Sequence, residues 1–389
     1  MVTIGFVGAP NKGKSTLFSA LTLADVAIAD YPFTTIDPNK GIAYVSRECV
    51  DKELHTKCKP RNSLCIEGLR KIPVNIIDVA GLVPGASAGK GMGNQFLNDL
   101  SAADAFVIVV DASGKTDLNG NPCDWTDPSL DVEMILGELT DWISGIIMKH
   151  IKHISKIPDG LDAISSILSS FKISKEDIKE AINKASLSSS YIAWSEQDAK
   201  KFVNELFAIS RKFIIAANKS DIQGAAKGIE SLKSKYKNVI SCSAAIELAL
   251  RKASKAGLID YVPGAESFSI KGNPSDDQRH ALEYMLSFIK ANHGTHVQDI
   301  INKAVFEILD YIVVYPVEDE NKYTDHDGNV LPDAFLVKRG STALELAEII
   351  HTDIAKNMLY AVDARTKMKL AKSYILKDND VIKIVSAAH

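Results

Sequence analysis

The chain has 389 residues, of which 46% are hydrophobic and 24% charged, a composition typical of a globular protein with room for two or three domains. Its 45 basic and 49 acidic residues give a net charge of −4, which excludes a globally basic nucleic-acid binder, and we expect no DNA partner. The first predicted strand starts at Val2, and the apolar runs are far shorter than a membrane span. We therefore expect a cytoplasmic protein without a membrane partner.

The first motif is a glycine-containing loop between a predicted strand at residues 2–7 and a predicted helix at 15–21. Its two glycines let backbone N–H groups turn toward phosphate oxygens, and the helix N-terminus adds its positive dipole end. We expect Lys14 to reach the β- and γ-phosphates and Ser15 to offer its hydroxyl to Mg²⁺. The loop predicted to bind a nucleoside phosphate comprises Gly8, Ala9, Pro10, Asn11, Lys12, Gly13, Lys14, Ser15 and Thr16.

The next segment, residues 30–39, contains Pro32 and Pro38, which keep it from becoming helical. A GTPase needs a mobile threonine here, whose hydroxyl completes the Mg²⁺ coordination and whose N–H contacts the γ-phosphate. Thr34 and Thr35 are the candidates, and we favour Thr35. The alternative is that two β-branched residues enter an edge strand.

The cysteines are odd in number and lack paired spacing, which predicts reduced thiols and not a disulfide scaffold. Three of them are close enough in sequence to suggest a metal site, with His55 nearby. However, no CxxC pair supports that site, so we do not expect zinc. The five cysteines are Cys49, Cys58, Cys65, Cys123 and Cys242.

A second predicted strand, residues 74–77, leads to Asp78. The position of Asp78 at the carboxyl end of a strand is where ligands bind in open α/β sheets, and its carboxylate can hold Mg²⁺, usually through water. Gly81 can then donate its N–H to the γ-phosphate and sense its loss. A glycine-rich stretch at residues 85–93 follows.

The stretch from about 125 to 211 is longer than a minimal nucleotide domain needs at this point. Its apolar residues recur at near-helical spacing, and residues 174–177 and 195–198 resemble helix-capping boxes. We predict a helical insertion packed on or beside the nucleotide domain. Its tryptophans are expected to pack in a core or hinge: Trp125, Trp142 and Trp194.

A third predicted buried strand, residues 213–217, is followed directly by Asn218, Lys219 and Asp221. One carboxylate placed edge-on can accept both the N1–H and N2–H groups of guanine, a pair that adenine lacks, so we expect Asp221 to reject ATP. We expect Lys219 to lie along the base and Asn218 to tie the loops together; the alternative is a solvated turn. After another strand come small residues that allow a backbone N–H to approach the guanine O6: Ser243, Ala244 and Ala245.

We expect residues 1–275 to form the nucleotide domain, 276–309 a helical connector, and 310–388 a small domain with strands around one helix. That pattern suggests a β-grasp fold, and Thr342 and Glu345 form a capping box for the helix. Basic residues in this domain could contact RNA phosphates, although a solvated surface explains them equally well. They are Arg365, Lys367, Lys369 and Lys372, with Lys338 and Arg339 as neighbours.

Together these stretches resemble the Obg family of GTPases, especially the YchF-like branch that carries a TGS domain. The resemblance covers nearly the whole chain and implies an α/β, Ras-like P-loop GTPase core with a helical insertion, plus a C-terminal β-grasp (TGS) domain. It also implies that Thr35 is the second switch threonine. TGS domains of related proteins are associated with RNA or ribosome contact, which implies such a partner. The matching stretches are residues 8–16, 31–35, 78–86, 89–97 and 331–342.

The resemblance also bears on the nucleotide and on catalysis. Many YchF proteins have lost the Asn-Lys-x-Asp motif and prefer ATP, whereas this sequence keeps it in full. Ras-type enzymes place a water-orienting glutamine where this chain has Leu82. In related GTPases an asparagine at the position of Asn11 helps to coordinate K⁺, so K⁺ joins Mg²⁺ as a candidate cofactor; the alternative is that Asn11 only shapes the loop.

The leading interpretation is a GTP-hydrolysing switch, associated with ribosomes or translation, that binds GTP and GDP. Two alternatives are a YchF-type ATPase and a nucleotide-gated RNA- or ribosome-binding module with negligible turnover. The residues expected to act in hydrolysis are Lys14, Thr35, Gly81 and Asn11, and those expected at the metal are Ser15, Thr35 and Asp78.

Overall fold

The computed structural model describes residues 1–22, 39–79, 81–82, 84–85, 101–154, 160–169, 173–188, 193–210 and 213–387. The chain forms two compact units. The larger unit consists of Thr3–Ile42 and Asn75–Ile300, and the C-terminal unit consists of Met1–Val2, Ala43–Val74 and Ile301–His389. Thr34, Thr35 and the stretch 89–97, on which several predictions depend, lie outside the described residues.

The main sheet is built around strands that are apolar along nearly their entire length, the pattern of parallel strands buried on both faces. Its strands are β1 (Thr3–Val7), β2 (Lys40–Glu48), β3 (Leu64–Ile66), β4 (Leu69–Asp78), β5 (Ala105–Asp111), β6 (Phe213–Asn218) and β7 (Val239–Ser241). They stand in the order β2-β4-β1-β5-β6-β7, with β3 paired antiparallel to β4. The pairs β1–β4, β1–β5, β5–β6 and β6–β7 are parallel, so the loops after β1, β4, β5 and β6 open at one edge.

The helices of the insertion lie where the apolar pattern predicts them and share one core, which includes Ile147, Phe202 and Trp194. Ser195 and Asp198 exchange hydrogen bonds as a capping box, and Ser174 accepts from the Asp177 N–H. Trp125 departs from the prediction, because it is 40% exposed and Lys227 lies over its ring. The helices are α2 (Ser129–Ile154), α3 (Gly160–Leu168), α4 (Lys175–Lys184) and α5 (Glu196–Ser210), preceded in the chain by α1 (Lys14–Thr22).

The connector is helical, as the sequence predicts. Its first helix has a Ser275–Gln278 capping box, and the helices are interrupted at Gly294 and Thr295. The elements from the end of β6 to this point are α6 (Ala225–Lys235), α7 (Ala244–Lys255), β8 (Ile259–Asp260), β9 (Ser269–Ile270), α8 (Asp276–Ala291), α9 (Val297–Lys303) and a π-helical turn (Ala304–Ile308). No helix among the described residues is both long and apolar enough to cross a bilayer.

The last strands form the predicted β-grasp sheet. Its elements are β10 (Tyr311–Val317), β11 (Phe335–Lys338), α10 (Ala343–Ile350), α11 (Thr352–Asn357), β12 (Met358–Asp363), β13 (Lys369–Leu370) and β14 (Val381–Ser386). The strand order is β11-β10-β14-β12-β13, with β10 and β14 parallel and the other pairs antiparallel. The sequence predicts one helix in this domain, but the structure has two. The first ends at His351, and the His351 imidazole accepts the Asp353 N–H and caps the start of the second.

Residues 43–74 belong to the C-terminal unit, a grouping that cuts across the domain boundaries expected from the sequence. The backbone N–H groups of Lys59 and Arg61 donate to the carbonyls of Val330 and Pro332, at 2.8 and 2.7 Å. Asn62 exchanges two hydrogen bonds with the backbone of Ala334. The segment and the β-grasp domain are therefore joined by main-chain hydrogen bonds between distant parts of the sequence.

Candidate nucleotide site

The loop between β1 and α1 needs glycine at both ends. A Cβ at Gly8 would lie 2.7 Å from the Val109 carbonyl oxygen on β5. Gly13 has a φ of +85°, and a Cβ there would lie 2.3 Å from the side-chain nitrogen of Asn218. The Gly13 carbonyl accepts the first bond of α1, from Leu17. The backbone thus turns at the N-terminus of α1, where its N–H groups can face an anion.

A cavity of about 560 Å³ lies at this turn, within the range of small-molecule binding pockets. It brings together the phosphate loop, the glycine that follows β4 and the lysine that follows β6. Its lining residues are Ala9, Pro10, Asn11, Gly13, Lys14, Ser15, Thr16, Gly81 and Lys219.

Lys14, Ser15 and Asp78 converge at the entrance of α1. The Lys14 ammonium forms an ion pair with the Asp78 carboxylate, and the Ser15 hydroxyl donates to the other oxygen of that carboxylate at 3.2 Å. The parallel register places Asp78 opposite Phe6, at the end of β1 and next to the loop. A hydroxyl and a carboxylate side by side are the hard oxygen donors that Mg²⁺ prefers.

Gly81 and Leu82 have different surroundings. Gly81 lines the cavity, whereas Leu82 is 2% exposed and packs in the core with Val7 and Ile77. The Leu82 backbone N–H donates to the Gly8 carbonyl at 3.2 Å, which fixes the segment against the phosphate loop. The Leu82 side chain is therefore turned into the core.

Asn218 ties three loops together, as its motif predicts. Its side-chain N–H donates to the Lys12 carbonyl at 3.1 Å, and its side-chain oxygen accepts from the Ala244 N–H at 3.0 Å. The side chain is 2% exposed. Since both ends of this amide are used internally, Asn218 fixes the phosphate loop relative to the segment at 243–245.

Lys219 is anchored by Asp111, a residue that the sequence analysis did not single out. The Lys219 ammonium donates to the Asp111 carboxylate at 2.7 Å and to the Asn11 carbonyl at 2.9 Å. Burial raises the pKa of Asp111, but hydrogen bonds from Lys219 and Ser113 outweigh it, so this pKa lies below its ordinary value. The position of Asp111 at the end of β5 is the signal that could have found it, because Asp78 was recognised at the same position of β4.

Asp221 is held by the start of α7. The Ser243 hydroxyl donates to one oxygen of the Asp221 carboxylate at 2.6 Å, and the same hydroxyl accepts the Ile246 N–H as the cap of α7. The Tyr284 hydroxyl donates to the Asp221 carbonyl at 3.4 Å. Asp221 and residues 243–245 do not line the cavity itself. Asp221 lies three residues after Asn218, and Ser243 joins it directly to the segment that Asn218 holds.

Lys12 and Asn11 make contacts that their motif does not reveal. The Lys12 ammonium is fully buried and bonds to the Asp131 carboxylate and the carbonyls of Thr116 and Asp117, at 2.8 to 3.0 Å. Any contribution of Lys12 to a nucleotide therefore comes from its backbone. Asn11, with a φ of 60°, donates its side-chain N–H to the Gly120 carbonyl at 3.0 Å.

The basic residues of the β-grasp domain are largely engaged within the chain. Arg365 forms a bidentate pair with Glu53, and Arg339 pairs with Asp310. Lys367 bonds to the carbonyls of Glu320 and Ala364, and Lys369 lies over the ring of Tyr360. These contacts use part of the positive charge that an RNA phosphate would need.

Three family models match the chain along most of its length. The model of a 50S ribosome-binding GTPase matches residues 3–138, that of the Obg-like GTPase YGR210-like, G4 motif-containing domain matches 216–319, and that of the TGS domain matches 323–386.

Individual proteins are also similar to this chain. A GTP-binding protein of Methanocaldococcus jannaschii is 51% identical, covering 100% of both chains. The crystal structure of a GTP binding protein from Pyrococcus horikoshii OT3 aligns with a TM-score of 0.77 at 38% identity, again over 100% of both chains. The ribosome-binding ATPase YchF of Mycoplasma genitalium is 40% identical over 42% of this chain and 43% of its own. These similarities and the geometry of the phosphate loop show that the chain belongs to the Obg-like, YchF-related family of P-loop GTPases that carry a C-terminal TGS domain.

Proposed function

We propose that the protein binds GTP with Mg²⁺ and hydrolyses it to GDP and phosphate. The observation that carries the proposal is the Asn218 clamp. Asn218 joins the phosphate loop to the segment at 243–245, and Ser243 of that segment holds Asp221. A phosphate-binding element and the proposed base-selecting residue are thus linked through one side chain. The motif sequence and the names of the full-length relatives, both GTP-binding proteins, support guanine as the base.

Asp221 selects the base in this proposal. Its carboxylate has lone pairs left beyond the bond from Ser243 and can accept the N1–H and N2–H groups of guanine. Adenine offers no such pair of donors, and its binding would leave the remaining lone pairs of a desolvated carboxylate unsatisfied. Some relatives are named ATPases, so an ATPase of the YchF type is the competing enzyme.

Ser15 and Asp78 would hold Mg²⁺, with Thr35 as the further ligand expected from the family resemblance. When bound, the ion neutralises charge on the phosphates. Lys14 adds a second positive charge at the same point and would move from Asp78 to the phosphates when nucleotide enters. The Gly81 N–H, on the cavity wall, would bond to the γ-phosphate.

Leu82 cannot orient the attacking water, because its side chain is apolar and buried, so another group has to do so. We propose that K⁺ binds at the Asn11 side-chain oxygen, the atom left over once its N–H donates to Gly120, and supplies positive charge at the phosphates. Equal rates of GTP turnover in K⁺ and Na⁺ would count against this role. Turnover that stays negligible in K⁺ with ribosomes present would favour a nucleotide-gated binding module.

The ribosome is the partner that the relatives' names suggest, and the TGS domain is the element expected to make the contact. Loss of the γ-phosphate would release Thr35 and Gly81, so that the nucleotide state controls the association. GTP turnover with and without added ribosomes tests the partner and the switch together.

The sharpest test of the base assignment is Asp221→Asn. An amide keeps one acceptor but presents an N–H where guanine also presents one, so GTP affinity should fall by roughly a hundredfold or more. Xanthosine triphosphate carries a carbonyl in place of the exocyclic amine and should bind the variant better than GTP does. Glu230→Gln removes a charge elsewhere on the larger unit and should leave GTP affinity unchanged. An unaltered GTP affinity in Asp221→Asn, or equal GTP and ATP affinities in the wild type, would overturn the assignment.

A further inference from the structure

Three cysteines and an aspartate meet in the C-terminal unit. Cys49 directly follows β2, Asp51 and Cys58 lie in the loop after it, and Cys65 lies in β3. Their ligand atoms, three sulfurs and a carboxylate oxygen, all lie within 4.8 Å of one another. The spacing in the sequence hid this arrangement, because the loop from 50 to 63 folds back and brings its ends together.

The distances fit a shared metal ion better than a disulfide. The Cys49 and Cys58 sulfurs are 3.9 Å apart, and the Cys65 sulfur is 3.9 Å from an oxygen of Asp51. A disulfide requires about 2.05 Å between sulfurs. Two sulfurs bound to one tetrahedral zinc ion are about 3.8 Å apart, given a Zn–S bond of about 2.3 Å.

Asp51 provides a second, independent observation. The residue is 8% exposed, and among the described residues its other carboxylate oxygen is buried without a hydrogen-bond partner. A buried carboxylate oxygen without a donor is costly and needs a compensating partner. A cation held between Asp51 and the three sulfurs would supply one.

A buried cation lies beside the cluster, because the Arg70 guanidinium places positive charge close to Cys49. Arg70 is fully buried, and two of its three guanidinium nitrogens have no hydrogen-bond partner within the described chain. The negative charge of three thiolates and one carboxylate exceeds the positive charge of a divalent ion, and the Arg70 guanidinium offsets part of that excess.

We propose that Cys49, Cys58, Cys65 and Asp51 bind one zinc ion. Four protein ligands leave no open coordination position, so the site is structural and not catalytic. The loop that it closes carries Lys59 and Arg61, whose backbone N–H groups bond to the β-grasp domain at Val330 and Pro332. Zinc therefore fixes the loop on which that domain rests. Binding also releases thiol protons, so affinity falls with decreasing pH.

Elemental analysis of the full-length protein, expressed with zinc and purified under reducing conditions without chelator, tests the stoichiometry. We expect about one zinc per chain in the wild type and in Cys123→Ser, a matched control outside the cluster, and a loss of at least tenfold in Cys58→Ser. A wild type without zinc, or equal loss in Cys123→Ser, would overturn the proposal.

A second measurement keeps the test independent of whether Cys58→Ser folds. Wild-type protein freed of metal with a chelator and given Co²⁺ should show the thiolate-to-cobalt charge-transfer absorption of a tetrahedral site. Added zinc should abolish that absorption and should protect Cys49, Cys58 and Cys65, but not Cys123, from alkylation by iodoacetamide. Absence of the cobalt absorption, or a Cys49–Cys58 disulfide in protein isolated with thiols trapped, would show that the cluster is not a metal site.

Discussion

Lys12 and Asp131 form a buried ion pair directly behind the phosphate loop. The Asp131 side chain is 2% exposed and that of Lys12 is 0% exposed. Burial raises the pKa of Asp131 to about 6, although the hydrogen bond from Lys12 opposes it. The two effects act in opposite directions on the protonation of one carboxyl group, and the pH dependence of stability reports which of them is larger.

Between pH about 4 and 6 the folded protein keeps a proton on Asp131 that the unfolded chain, with the ordinary pKa of 3.8, has lost. The contribution of this group to the free energy of unfolding is therefore full below pH about 4 and is lost as the pH rises to about 6. Asp131→Asn cannot titrate, so the wild type should lose stability relative to the variant across this window, by up to ~3 kcal/mol. Urea unfolding of both proteins at several pH values measures the difference. A wild type that gains stability over Asp131→Asn with rising pH would mean that the pairing with Lys12 outweighs burial.

Among the residues that the motifs single out, Lys14, Gly81 and Lys219 line the cavity and Asp221 does not. The motifs do not show what holds these residues in place. Lys14, Ser15 and Asp78 were placed correctly next to each other because each follows or precedes a strand that the apolar pattern identifies. Lys12 was treated as a loop residue like its neighbours, since its partners lie more than a hundred positions away in the sequence. The clustering of the cysteines was not predicted for the same reason, because spacing along the chain does not reveal a loop that folds back and brings its ends together.

The helices and strands were the most predictable features. Capping boxes at Ser195 and Thr342 start helices where expected, since a cap is read from four consecutive residues. The strands β2, β3, β5, β8, β9, β12 and β13 were not predicted. Four of them, β3, β8, β9 and β13, are three residues long or shorter and depend on pairing with partners that local propensity does not identify.

The junction between the phosphate loop and α1 depends on Gly13. Its φ of +85° disfavours any Cβ, and a Cβ would also enter the space of the Asn218 amide. Because that amide is bonded at both ends, it cannot move without releasing Lys12 or Ala244. Gly13→Ala should therefore combine backbone strain with loss of the clamp.

We expect Gly13→Ala to lower stability by ~2 kcal/mol or more and to abolish detectable GTP binding, measured by thermal unfolding and by calorimetry. Gly257→Ala is the matched control, because Gly257 has a φ of +71° and nothing within 4 Å of its would-be Cβ. It should show the backbone strain alone, ~1 kcal/mol, with GTP affinity intact. Equal effects of the two substitutions on GTP affinity would mean that the clamp does not matter for binding.

The grouping of residues 43–74 with the β-grasp domain is the feature of the architecture that the sequence pattern least suggested. Sequence order places this segment inside the nucleotide domain, between the phosphate loop and Asp78. Its attachment to residues 330–334 is made partly by backbone groups, which leave no trace in side-chain composition. The side chains of Asn62 and Arg61 also bond to Ala334 and Asp333. Arg70 donates to the Leu331 carbonyl at 2.6 Å and lies over the ring of Tyr315.

Arg70→Met should loosen this attachment without changing the nucleotide cavity. The substitution keeps most of the apolar stem but removes a charged hydrogen bond to a buried carbonyl, which is worth ~2 kcal/mol. Hydrogen exchange should accelerate at the amides of Lys59 and Arg61, which donate to Val330 and Pro332. Lys59→Met is the control, because Lys59 makes its contact through the backbone and its exposed side chain is dispensable. Exchange in Arg70→Met that matches Lys59→Met at these amides would show that the main-chain hydrogen bonds hold the segment without Arg70.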